Sequence, residues 1–166
     1  MDAEAQKNLI RRRLLGRGLA LMRVGDLGRD LTMRADGKDL AIVDGVDNLA
    51  QVLSAAVLTP LGGDVFNTDF GFDGLNALVE ETEPALTRER VRISVIQLLR
   101  KEPRVRQILD VDLDDGRLRP PRGDAPVGPP DSPRADRRRT LTVTVGFETV
   151  SLDQTSVRLG TVAPGG

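Results

Sequence analysis

Between Thr87 and Leu113 the apolar residues change period, and a proline marks the change. Val91, Val95, Leu98 and Leu99 recur at the spacing that lines one face of a helix running from about Thr87 to Lys101. Pro103 disfavours helical geometry at the residue before it, so the helix stops at Glu102-Pro103-Arg104. From Val105 the chain reads as extended. Leu109, Val111 and Leu113 alternate with Asp110, Asp112 and Asp114, as in a strand with one buried side. A helix that runs into a half-buried strand needs a sheet on which to bury its apolar face, which directs the chain toward helices layered on strands.

The residues upstream fit that scheme. Leu49, Val52, Leu53, Ala56 and Val57 make one apolar face on a helix from Asn48 to Leu58, with Asn48 and Gln51 spaced as a loose capping box. Thr59-Pro60-Leu61-Gly62-Gly63 stops it. Phe66, Phe70 and Phe72 follow, three of the four phenylalanines in a chain without Trp or Tyr, and are expected to anchor the core. A short helix with Leu75, Leu78 and Val79 on one side comes next. The candidate core is therefore Leu49, Val52, Leu53, Phe66, Phe70, Phe72, Leu98 and Leu99.

Leu31 to Val43 reads as a hairpin turning at Asp36-Gly37, with Leu40 and Ile42 inward on its second arm. Thr140 to Phe147 alternates cleanly, with Leu141, Val143, Val145 and Phe147 toward the core. Val157 and Leu159 suggest a final strand, and the Ala-Pro-Gly-Gly end should fray. Residues 1 to about 24 form an amphipathic helix with Leu9, Ile10, Leu14 and Leu15 clustered, expected to dock on its own domain or on a partner. Residues 119–136 are rich in Pro, Gly, Asp and Arg and cannot repay the entropy of ordering. The expected fold is α+β, a small mixed-sheet domain packed by about three helices. It is divided into an N-terminal extension over 1–29, the α+β domain over 30–150 with a flexible insertion at 119–136, and a C-terminal extension and tail over 151–166.

Composition removes several classes of function. Without cysteine or histidine there are no disulfides, no Cys/His zinc sites and no catalytic triads that use either residue. Aromatics at 2% leave no stacking surface for single-stranded nucleic acid, and a net charge of -1 demands no anionic polymer. The clusters Arg11-Arg12-Arg13 and Arg137-Arg138-Arg139 read as solvated surface, with an acidic partner surface as the sharper alternative. No apolar run is long enough to cross a bilayer, and no signal-peptide apolar region opens the chain, so assembly in a cytosol is expected. Neither Gly62-Gly63 nor Gly71 belongs to a nucleotide-binding fingerprint. Ser54, Ser94 and Thr59 have no evident basic partner to activate them. Carboxylates are plentiful, but Asp110, Asp112 and Asp114 read as a solvated strand face.

Several constraints meet at Glu102, Pro103 and Arg104. The proline fixes a junction, the carboxylate offers an acceptor pair, and the guanidinium presents a rigid fork. The plain reading is a helix exit with two exposed charges. The functional one is a clamp on another chain.

The order and separation of Val46-Asp-Asn-Leu-Ala-Gln51, the Leu53–Leu58 helix, Thr59-Pro-Leu-Gly-Gly63, Asn67-Thr-Asp-Phe-Gly71 and Glu102-Pro103-Arg104 resemble the gene-25-like family. These are small baseplate wedge proteins of contractile phage tails, with relatives in contractile injection systems, and the resemblance spans roughly Asp30 to Phe147. It implies a structural, non-enzymatic protein without cofactor or metal. Glu102, Pro103 and Arg104 would contact the helical core bundle of larger wedge subunits, and strand exchange would link the chain to the first-layer sheath protein. Central hub or spike proteins are further candidate neighbours; membrane insertion and nucleic acid are not expected. The place of action would be the baseplate of a phage tail or phage-like particle, assembled in the cytoplasm and able to act outside the cell after release. A lysozyme label attached to some members supplies the alternative, a cell-wall glycan hydrolase with paired carboxylates, but no catalytic pair can be placed on this sequence.

Overall fold

The computed structural model describes residues 3–24, 29–80, 83–114 and 141–162. The fold is α+β, with four helices and three small sheets among the described residues, the strands of each sheet pairing antiparallel. Helix α1 (Ala3–Leu15) leads into the short strands β1 (Arg17–Leu19), β2 (Leu21–Arg23), β3 (Arg29–Leu31) and β4 (Ile42–Asp44). Helices α2 (Gly45–Leu58), α3 (Gly74–Glu80) and α4 (Pro84–Lys101) follow. The chain then enters β5 (Val105–Asp114), β6 (Leu141–Thr149) and β7 (Gln154–Val162), which form a sheet in the order β5-β6-β7.

The core lies between that sheet and the helices. Strand β6 is its centre: Leu141, Val143, Val145, Phe147 and Thr149 are buried along one face, the alternation expected of a half-buried strand. Val111, Leu113 and Leu159 extend the layer on the flanking strands. Leu49, Leu53 and Val57 of α2 and Val91, Val95 and Leu99 of α4 close it from above, with Phe72 and Ala77 between them. Each buried Val, Leu or Phe contributes roughly 1.5–3 kcal/mol on burial.

Of the predicted core, Leu49, Leu53, Phe72 and Leu99 are buried, whereas Val52, Phe70 and Leu98 are partly covered. Phe66 is a correction, since it is 101% exposed. A turn closed by Asn67 N–H donating to the Asp64 carbonyl carries it outward, and of the three phenylalanines Phe72 is the one buried in the core. Leu109 is a second correction, at 47% exposed. A register shift between Ile108 and Asp110 makes Leu109 the extra residue of a bulge, so Ile108 turns toward the core in its place.

The predicted hairpin persists only as a Met33–Leu40 bridge across the Asp36-Gly37 turn. Its arms diverge: β3 pairs with β2, and β4 pairs with β1. On β4 it is Val43, not Ile42, that is partly covered; Ile42 is 58% exposed.

Neither end is peripheral. The predicted N-terminal helix stops at Leu15, where Gly16 adopts φ 75, the left-handed conformation that commonly ends a helix. Leu15 is fully buried in the common core, but Leu9, Ile10 and Leu14 face outward. The final strand pairs with β6 along its length. Predictions for Leu78 and Val79 side chains, the 119–136 insertion, Arg137–Arg139 and the last four residues fall outside what is described.

Candidate functional site

Glu102 takes extended geometry and ends α4, with its backbone N–H still donating to the Leu99 carbonyl at 3.3 Å. The chain turns at once, Val105 N–H donating to the Glu102 carbonyl at 3.1 Å. Within that turn Arg104 grips Glu102 with two parallel bonds, Nε to Oε1 at 2.7 Å and Nη2 to Oε2 at 2.8 Å. The Arg104 backbone N–H adds a third, to Oε1 at 3.2 Å. This fork geometry belongs to arginine; an ammonium would make one point contact. Burial opposes ionisation of Glu102, but the bonds from Arg104 outweigh it and hold the carboxyl below its ordinary range. The Arg104 guanidinium is correspondingly raised, chiefly by its hydrogen bonds to Glu102.

The third nitrogen of the guanidinium reaches across the fold. Arg104 Nη1 donates to the Leu15 carbonyl at 3.1 Å, the last of α1. Asn48 Nδ2, on buried α2 side chain, donates to the same oxygen at 3.1 Å. A cation at a helix C-terminus meets the negative end of the helix dipole, so the arrangement is favourable electrostatically. On the other side, the Arg104 carbonyl accepts Val150 N–H at 3.0 Å. One tripeptide thus ties together α4, β5, the end of α1 and the β6–β7 turn, while Pro103 stands exposed at the corner.

A second constellation joins the two ends of the chain. Arg11 donates through Nε and Nη2 to Asp153 at 2.8 and 2.5 Å, and Ser151 Oγ adds a bond to Asp153 at 2.8 Å. Thr149 Oγ1, buried beneath, shares a hydrogen bond with Ser151 and accepts from Asp153 N–H. The bond from Arg11 leads in drawing the Asp153 carboxyl down to about 2, against partial burial and with help from Ser151.

Sequence reasoning placed Glu102, Pro103 and Arg104 together at a junction, but it missed the Leu15 carbonyl as an acceptor and the Arg11–Asp153 link. It also misassigned Asn48 and Gln51. No side-chain cap closes the start of α2. Asn48 instead braces α1, and Gln51 splints the β1–β2 bend, accepting Leu21 N–H at 2.8 Å and donating to the Leu19 carbonyl at 2.7 Å. Two polar residues on the covered side of a helix were the available signal. The first arginine cluster finds acids within its own chain, Arg11 on Asp153 and Arg12 on Asp44 at 2.6 Å.

The described carboxylates outside these two constellations show no pairing suited to a hydrolase. Asp110, Asp112 and Asp114 are exposed along β5, and Glu80 sits beside Arg90. A surface hollow of about 550 Å³ holds Asp36 and Asp39, but both carboxylates shape the turn there, accepting Lys38 and Leu40 N–H. Among the described residues, no group of three or more potential ligands is placed to hold a metal ion. No described helix is long and apolar enough to cross a membrane. No protein-family model matches the chain, and neither does any curated protein it was compared with.

Proposed function

We propose that the chain is a non-enzymatic adaptor in the baseplate of a contractile tail or phage-like injection particle, joining a helical bundle of larger wedge subunits to the sheath-proximal ring. The single observation behind this reading is the corner at Glu102-Pro103-Arg104, where four elements converge on one tripeptide closed by its own ion pair and leave Pro103 outward. A corner fixed in advance loses little conformational freedom when another chain covers it. In this role Glu102 and Arg104 shape the contact, and the partner meets Pro103 and the surface around it.

The sheet supports the second half of the role. Strand β6 is paired on both sides and cannot accept an outside strand, which leaves β5 and β7 as the edges. Two register shifts and three aspartates blunt β5, against a single shift on β7. The edge of β7 is the better place for strand addition from a sheath subunit.

The test introduces Pro103→Glu, which leaves the Arg104 fork intact, beside the double change Glu102→Ala with Arg104→Ala. Recovery of sheathed particles is measured for each, with circular dichroism as the control for folding. A folded Pro103→Glu chain should yield at least about tenfold fewer complete particles, as expected on placing a charge in a packed contact. Normal incorporation and sheath attachment by both variants would refute the reading.

A further inference from the structure

The loop between α2 and α3 presents an aromatic anchor that the corner at Pro103 does not use. Phe66 is 101% exposed and its neighbour Val65 85%, in a chain with four phenylalanines. Single exposed apolar residues are ordinary on a surface, but here two adjacent ones stand together at one loop tip.

The loop is closed at its neck. Phe72 N–H donates to the Thr59 carbonyl at 2.8 Å, and Leu61 N–H to the Phe72 carbonyl at 3.3 Å. Phe72 itself is sunk in the core and anchors one stem. Gly71 permits the two stems to meet: a Cβ there would lie 2.6 Å from the Pro60 carbonyl oxygen, and its φ is +116. At the tip, Asp64 Oδ1 accepts Phe66 N–H at 2.9 Å, and Phe70 N–H donates to the Asn67 carbonyl at 3.0 Å. The aromatic ring is therefore held outward by a loop that has already been ordered, the arrangement from which a binding hot spot gains most.

Charge indicates what covers it. Residues 39–87 contain nine acidic residues and no Lys or Arg, although the whole chain carries only -1. Asp64, Asp69 and Asp73 lie in this stretch, and no ion pair among the described residues neutralises them. We infer that Val65 and Phe66 insert into an apolar pocket on a partner protein whose rim carries Lys or Arg. Acidic groups around the tip select that rim and repel an anionic lipid surface. The inference stands on the loop and is independent of the assembly role proposed above.

The experiment places p-benzoylphenylalanine at position 66 of the full chain in the cells that naturally produce it, and at position 152 as an exposed control. After illumination, crosslinked peptides are mapped by mass spectrometry. One partner polypeptide should be captured through position 66 and not 152, at an apolar segment bounded by Lys or Arg. Adding Asp69→Lys, which leaves the Asp64–Phe66 bond in place, should reduce that adduct by about tenfold or more, the effect of opposing like charges at a rim. Phe66→Ala should leave the melting temperature within about 2 °C of the parent, because the ring covers nothing in the free chain. Adducts only with a second copy, only with lipid, at a segment without basic neighbours, or unaffected by charge reversal would each overturn the inference. So would capture no stronger at 66 than at 152.

Discussion

A single backbone oxygen, that of Leu15, receives donors from Asn48 and Arg104, and both side chains are committed to it across long stretches of sequence. Arg104→Lys keeps the charge but loses the fork on Glu102, so it should lower unfolding free energy by about 1–3 kcal/mol in urea titration, the usual cost of partly buried charged hydrogen bonds. Asp153 makes a separate, pH-dependent contribution. Its folded-state pKa of about 2 lies below the ordinary value of 3.8, so the carboxylate stabilises the fold above about pH 4 and that share is lost as pH falls toward 2. Urea midpoints measured across this window should fall more steeply for the parent than for Asp153→Asn; parallel slopes would remove Asp153 from the acid response. Leu152, in the same turn, is a non-glycine residue at φ 62. Leu152→Asn should stabilise by up to about 1 kcal/mol in the same titration, since asparagine tolerates the left-handed region that a leucine enters at a cost.

At the scale of elements, α1 shows how a helix can be pinned by its end. Its buried apolar contact is Leu15, while Ile10 and Leu14 face solvent. Leu15→Ala should cost about 2–5 kcal/mol, and Leu14→Ala about 0.5 or less, although both remove the same atoms from one helix. Equal effects in thermal melts would mean that α1 packs differently. Helices α2 and α4 and strand β6 were legible because their buried residues keep one period, although Leu86 and Ile93 of α4 stand exposed outside it. The bulge at Leu109 and the outward turn at Phe66 were not, because each depends on a local interruption that leaves residue types unchanged. Pro103 announced the junction, but Leu15 carries no mark in sequence of the carbonyl that Arg104 seeks.

Across the whole molecule, the N-terminal helix, the helix exit and the last hairpin are bound to one another by Arg104, Asn48 and the Arg11–Asp153 link, so the two segments that read as extensions complete the core. A corner buttressed from both ends of the chain is suited to carrying load between neighbours, the role proposed for it in a contractile particle. Phe147→Ala, at the centre of the sheet, should destabilise by about 3–5 kcal/mol and collapse corner and hairpin in one transition, checked by coincident fluorescence-probe and circular-dichroism melts. The most direct measurement of the adaptor role is cryo-electron microscopy of an assembled particle containing this chain. Pro103 should lie covered by a helical bundle of larger subunits, with this chain beside the first sheath ring; Pro103 open to solvent, in a chain remote from that ring, would contradict it.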